Sequence, residues 1–308
     1  MKTLVTGGAG FIGSNLVDGL LQAGHQVVVV DDLSTGSREN VSKQAAFCQE
    51  TILNKDGLQA IFSREKPDFV CHYAAQIDVR KSVSDPQHDA AVNIIGGLNV
   101  LQCSLKVGVR KLVYVSTGGA VYGDPAYIPV DENHPVRPLC PYGVSKHALE
   151  HYLHLHAVND GLRYTVLRYP NVYGPRQNPK GEAGVIAIFT DKMMQGQRPT
   201  IFGDGTQTRD YTFVGDVVAA NLLALEKGES EIFNIGTGVE STVLDIVETL
   251  NDLLGTHIEP ILAPARVGEV YRIALSAERA KSVLGWHPKH DLKAGLKKTV
   301  DYYKSVSQ

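Results

Sequence analysis

Seven residues near the N-terminus, Gly7-Gly8-Ala9-Gly10-Phe11-Ile12-Gly13, restrict what this chain can fold into more than any other segment. The apolar run Lys2–Thr6 precedes them. Ile12, Leu16 and Leu20 follow at four-residue spacing, so the glycines occupy a strand-to-helix turn. Glycines at 7, 10 and 13 permit a tight turn, close approach of backbone to a pyrophosphate, and close packing of helix on strand. The helix N-terminus then presents free N–H groups and the positive end of its dipole to phosphates. Asp31 closes the second apolar run, 18 residues past Gly13, near the spacing of about 20 expected for a carboxylate that binds ribose hydroxyls. A carboxylate there repels a 2′-phosphate, which selects NAD over NADP.

The chain continues as alternating apolar runs and amphipathic stretches. Strands are expected at Lys2–Thr6, Gln26–Asp31, Ala46–Thr51, Phe69–Ala74, Lys111–Ser116 and Tyr164–Tyr169, with helical patterns between them such as Val92, Ile95 and Leu98. Right-handed crossovers turn this order into an α/β fold, a Rossmann-type doubly wound parallel sheet. After Tyr169 the character changes, with Pro170, Gly174, Pro175, Pro179, Gly181 and Gly184 crowded into one loop. The expected division is a dinucleotide-binding domain, 1–170, and a smaller C-terminal α/β substrate domain, 171–308, with part of 210–236 rejoining the first. In the second part a helix is expected over Val185–Gln195, a loop over Arg198–Arg209, a buried strand over Glu231–Gly236, and closing helices from Thr242 and from Ser276.

Composition narrows the function classes. The net charge is −3 and no basic block occurs, which argues against a nucleic-acid or anionic-membrane partner. No apolar run approaches the roughly 20 residues of a membrane helix, and the glycine loop leaves no room for a signal peptide, so a cytoplasmic protein is expected. Cys48, Cys71, Cys103 and Cys140 form no C-x-x-C pair and read as free thiols of a reducing compartment. His147, His151 and His154 share one helix face, but no carboxylate or cysteine completes a metal set, and none is expected.

Chemistry enters with Tyr142-Gly143-Val144-Ser145-Lys146, directly after Pro141, which suits a first helical turn. A spacing of four places Tyr142 and Lys146 on one face. A phenol is a poor base near neutrality, and a neighbouring ammonium, helped by a nicotinamide cation, lowers its pKa toward the working range.

These residues, with Val121-Tyr122-Gly123 and Leu167-Arg168-Tyr169, resemble the extended short-chain dehydrogenase/reductases, and within them the UDP-glucose (UDP-galactose) 4-epimerases. The likeness extends through Arg209-Asp210-Tyr211, Asn234-Ile235-Gly236-Thr237-Gly238, Arg266-x-Gly268-Glu269 and Leu284-Gly285-Trp286-x-Pro288. It implies an isomerase that uses and restores a bound NAD. Tyr142 as phenolate would take the proton of the sugar 4-hydroxyl, a 4-keto sugar would form transiently, and Lys146 would hold the nicotinamide ribose. Gly7, Gly10, Phe11, Ile12, Gly13, Asp31, Ile52, the stretch His72–Gln76 with Ala74 and Gln76, and Asn93 would line the NAD site. Asn171, the Gly181–Ile186 loop with Gly184 and Val185, Arg209, Arg266 and Glu269 match positions that hold the nucleotide diphosphate-sugar. A homodimer is implied through the Tyr142 helix and the helix preceding the fifth strand.

The sequence departs from the family at two places. A Ser or Thr usually stands three residues before the Val of V-Y-G, and here that residue is Gly118; Thr117 is the expected substitute, with Ser116 behind it. Thr51 stands where the family often has an Asp that contacts adenine. Gly119 and Ala120 replace the Asp-Glu with which related dehydratases move protons, which leaves oxidise-then-reduce epimerisation. Ile273 falls where some members carry a bulky Tyr, so UDP-N-acetylhexosamines enter as alternative substrates, and a UDP-N-acetylglucosamine or UDP-glucuronate 4-epimerase is the neighbouring reading. A dinucleotide-sensing protein on the same fold is the reading from another class; the intact Tyr142/Lys146 pair argues for catalysis.

Overall fold

The computed structural model describes residues 1–180, 184–265 and 270–306. Seven strands, β1 (Lys2–Thr6), β2 (Gln26–Asp31), β3 (Ala46–Gln49), β4 (Phe69–His72), β5 (Lys111–Thr117), β6 (Tyr164–Tyr169) and β7 (Glu231–Asn234), form one parallel sheet. Their order is β7-β6-β5-β4-β1-β2-β3. Alternate residues serve opposite faces, as strand geometry requires. Val5, Val27, Val29, Cys71 and Val113 meet helices α1 (Phe11–Gln22) and α6 (Val214–Glu226) on one side. Leu4, Val28, Val30, Val70 and Leu112 meet α2 (Lys55–Glu65), α3 (Gly97–Val107) and α4 (Pro141–Asp160) on the other. With both faces covered, the strands read as continuous apolar runs rather than alternating ones.

Strand order reverses between β1 and β4, and in open α/β sheets the crevice at such a point is where ligands bind. The glycine loop leaves β1 there and the segment 73–78 leaves β4. β4 ends two residues earlier than its apolar run suggests, because the backbone N–H of Ala74 turns to the Thr6 hydroxyl (3.2 Å) and the chain peels off the sheet.

The C-terminal part packs α5 (Val185–Met194), α7 (Val243–Leu254) and α8 (Leu292–Val306) around Tyr173, Phe189, Ile201, Phe213, Ile246, Leu250 and Leu296. Three two-stranded pairs edge it: 171–173 with 211–213, 200–202 with 261–263, and 208–209 with 241–242. Two of these pairs run through the segment 198–209 expected as loop. The helix expected from Ser276 is also corrected. A short π-type turn, Ala280–Leu284, stops at Gly285, whose φ of 75° is left-handed, and Trp286 then buries itself with its indole N–H on the carbonyl of Asp216 at 2.9 Å.

A third correction concerns 86–107. Pro86–Ala90, the π-type segment Ala91–Gly96 and α3 run on as one helix of 22 residues, apolar and long enough to cross a membrane. In the fold its Val100, Leu101 and Cys103 are buried against α2, α4 and the sheet. All four cysteines are free thiols.

Candidate active site

The glycine loop has the shape a pyrophosphate cradle needs. Gly7 has φ +69°, and a Cβ on it would lie 2.5 Å from the backbone N of Ala74; a Cβ on Gly13 would lie 2.2 Å from the Gly7 carbonyl. Gly10 is the N-cap of α1, with no side-chain cap and no acid in the first turn, so the helix end keeps its orphan N–H groups. Asp31, 8% exposed, accepts the N–H of Ala9 and of Leu33, each at 2.9 Å. Burial raises its carboxyl above the usual range while those two bonds oppose the shift. One bond per oxygen leaves further lone pairs for ribose hydroxyls. These residues fit a dinucleotide.

The wall beyond β4 is a buried polar network. The Asn93 amide clamps the backbone of Gln76, accepting from its N–H and donating to its carbonyl, both at 2.9 Å. The π-type widening of Ala91–Gly96 carries Asn93 into this position. Gln76 Nε2 and Asn93 Nδ2 also donate to Asp89 Oδ1, at 2.9 and 3.0 Å, and Ser145 Oγ donates to Asp89 Oδ2 at 2.5 Å. Ile52 is buried below, its side chain against Gly96. Phe11 and Ile12, in the first turn of α1, stay half-buried.

Pro141 opens α4 at its first turn, as the sequence implies, and Tyr142 and Lys146 follow. Lys146 is buried, with Nζ 4.5 Å from the centroid of the Tyr114 ring. Burial pulls its pKa down to about 7, against the pull of Glu150 and Asp89. His72 lies beyond it on β4, held neutral by burial with its pKa at about 3. Burial, with Cys140 and Asp89 adding to it, pushes the Tyr142 phenol well up, and the neighbouring Thr117 side chain works to lower it. The expected lowering by Lys146 is therefore not seen in the protein alone, because the ammonium is itself penalised by burial. The Ser116 hydroxyl is buried and has no hydrogen-bond partner among the described residues.

Glu150 and Arg168 form a buried bidentate pair at 3.0 and 2.5 Å, and Arg168 Nη1 donates to the Tyr122 hydroxyl at 2.9 Å. This pair joins α4 to β6 behind the catalytic face.

Across the crevice a cleft of about 360 Å³ is lined by Asn171, Val185, Lys192, Phe202, Arg209 and Tyr211 among others. Gly184 is the N-cap of α5 with no side-chain cap, so among the described residues no side chain takes the N–H groups of this helix end. Arg209 Nη1 donates to the Thr208 carbonyl at 2.8 Å. Arg266 and Glu269 lie outside the described residues. Ile273 is 1% exposed and packs with Val121, Tyr122, Val130 and Leu275. The sequence reading missed Asp89, Tyr114, Lys192 and Phe202. Asp89 carries no signal of its own in the sequence, where it follows Asp85, Gln87 and His88.

The model of the NAD dependent epimerase/dehydratase family matches residues 3–236. A UDP-glucose 4-epimerase of Mycolicibacterium smegmatis is 44% identical over 314 residues, covering 100% of both chains. The crystal structure of the UDP-glucose 4-epimerase of Thermotoga maritima with UDP-glucose superposes with a TM-score of 0.98 at 49% identity over 100% of both chains. That of the Thermus thermophilus UDP-glucose 4-epimerase with NAD gives 0.93 at 44% identity over 99% of each.

Proposed function

The chain belongs to the NAD dependent epimerase/dehydratase family and, within it, to the UDP-glucose 4-epimerases, and we propose that Tyr142, Lys146 and Thr117 carry the interconversion of UDP-glucose and UDP-galactose. Bound NAD supplies the reversible hydride acceptor that inversion at C4 needs. Tyr142 takes the proton of the sugar 4-hydroxyl as the 4-keto sugar forms and returns it after the sugar has turned over. The Thr117 side chain beside Tyr142 carries this reading, since it offers the hydroxyl that Gly118 lacks and works to lower the phenol's pKa against burial. Lys146 holds the nicotinamide ribose and keeps a positive charge beside the phenol.

Residues 1–170 together with β7 hold the dinucleotide in this reading, through Gly7, Gly10, Phe11, Ile12, Gly13, Asp31, Ile52, Ala74, Gln76 and Asn93. Residues 171–308 hold the UDP-sugar. The N–H groups at the start of α5, at Gly184 and Val185, and the Arg209 guanidinium suit a diphosphate, and Phe202 offers a face on which a base can stack. Arg266 and Glu269 complete the set. Exposed Val144, Leu155 and Val158 on α4, together with Ile95, support a homodimer through these helices; sedimentation velocity tests it, and a monomer at micromolar concentration refutes it.

The direct test is incubation with UDP-galactose and NAD, with UDP-glucose followed by chromatography. An equilibrium mixture without net NADH is expected. No conversion, with NAD bound, overturns the reading.

A further inference from the structure

Asp89 is fully buried, and its three bonded donors, Gln76 Nε2, Asn93 Nδ2 and Ser145 Oγ, are neutral groups. A buried carboxylate held in this way is costly. An Asn at the same place could make as many bonds without a charge, so the charge needs a reason.

The surroundings supply one. Lys146 is faced by His72 from β4, Tyr114 from β5, Glu150 from its own helix and Asp89 from the Pro86–Ala90 helix. His72 is neutral, and Glu150 is committed to Arg168. Tyr142 is faced by Cys140, Thr117 and Asp89. Among the described residues Asp89 is thus the one carboxylate that faces both groups and has no bonded cation of its own.

Building on the epimerase reading above, we infer that Asp89 is a positioning residue. Its carboxylate ties the wall formed by Gln76 and Asn93 to the helix of Tyr142 and Lys146, and its charge sets the working pH of that pair. Ser145 is the link, since its hydroxyl grips Asp89 while the next residue is Lys146. The anion favours the charged ammonium and the neutral phenol, and removing it moves both titrations to lower pH.

The test is Asp89→Asn, which keeps the bonding pattern and removes the charge, assayed beside wild type for UDP-galactose conversion across pH. Wild-type conversion first establishes the reaction; if wild type is inactive, the epimerase reading fails and takes this inference with it. With wild type active, both limbs of the D89N kcat profile are expected to shift acidward by about one unit. The kcat at neutral pH should fall about tenfold, with KM held. NAD affinity, read by titration calorimetry independently of turnover, should weaken severalfold as the Gln76–Asn93 wall loosens. A D89N profile that superimposes on wild type overturns the inference. Should D89N not fold, Ser145→Ala, which keeps the charge, decides it. Its kcat should drop severalfold with KM and pH profile in place, and an unchanged kcat overturns the link.

Discussion

Leu275 fills the space into which a side chain at position 118 would project: a Cβ built on Gly118 lies 2.3 Å from Leu275 Cδ1 and 3.0 Å from its Cδ2. Leu275 is wholly buried beside Val121, Tyr122, Val130 and Ile273, so it has little room to yield. Position 118 therefore has no room for a hydroxyl side chain, and the hydroxyl that works to lower the Tyr142 phenol is that of Thr117.

Thr117→Val removes that hydroxyl while keeping shape. We expect kcat to fall about 10²-fold with KM and Tm unchanged, and Thr117→Ser to retain most of the rate. Full turnover in T117V would rule the hydroxyl out.

Gly118→Ser should not restore a family-like site. Overpacking against Leu275 should lower stability by about 1–3 kcal/mol, measured by urea unfolding. An unchanged midpoint would mean that Leu275 moves aside freely.

Lys146→Met tests the burial of the ammonium. Burial pulls this lysine from 10.5 to about 7, so the unfolded chain binds the proton more tightly than the folded one. Folding therefore carries the full penalty below about pH 7 and loses it as the pH rises toward 10.5. The dinucleotide-free K146M protein should be inactive yet melt higher than wild type below pH 7, with the gain shrinking at alkaline pH. A lower Tm at every pH contradicts this.

Glu150→Gln breaks the buried pair with Arg168. Burial works against the Glu150 carboxylate, but bonds from His147 and Arg168 and the Arg168 charge outweigh it and hold the pKa at about 2. Its stabilisation is present above about pH 4.5 and is lost as the pH falls toward 2. E150Q should be destabilised by about 3 kcal/mol at neutral pH, with a shallower acid-unfolding curve. Equal stability of the two proteins at pH 7 would dismiss the pair as a support for α4.

Phe202→Ala tests the cleft. Phe202 is 38% exposed, and loss of its stacking face should raise KM for UDP-galactose about tenfold while leaving kcat near wild type. A fall in kcat alone would place Phe202 elsewhere in the cycle.

The glycine loop, Asp31 and the Tyr142/Lys146 helix were legible because each rests on local spacing: turn, helix start and one helix face. The seven-stranded sheet followed from apolar runs of the right length. Asp89 and Leu275 were not legible, because their meaning lies in contacts across the fold, Asp89 with Ser145 and Leu275 with Gly118. The phenol's titration was misjudged for a related reason. Spacing shows that an ammonium is near, but only the packed structure shows how strongly burial opposes both charges. The break at Gly285 was legible in principle, since a left-handed Gly followed by Pro288 is a helix-stop signal, but the burial of Trp286 that follows it rests on contacts across the fold.

The pairing of β7 with β6 reaches beyond the site. A polypeptide released at residue 170 would carry β6 as a bare edge, its row of N–H and C=O groups open to any other strand. The sheet that frames the crevice thus gains its outermost strand only after residue 234 has been synthesised, and Trp286 arrives later still to cover one face. During translation the nascent dinucleotide fold waits on its own tail.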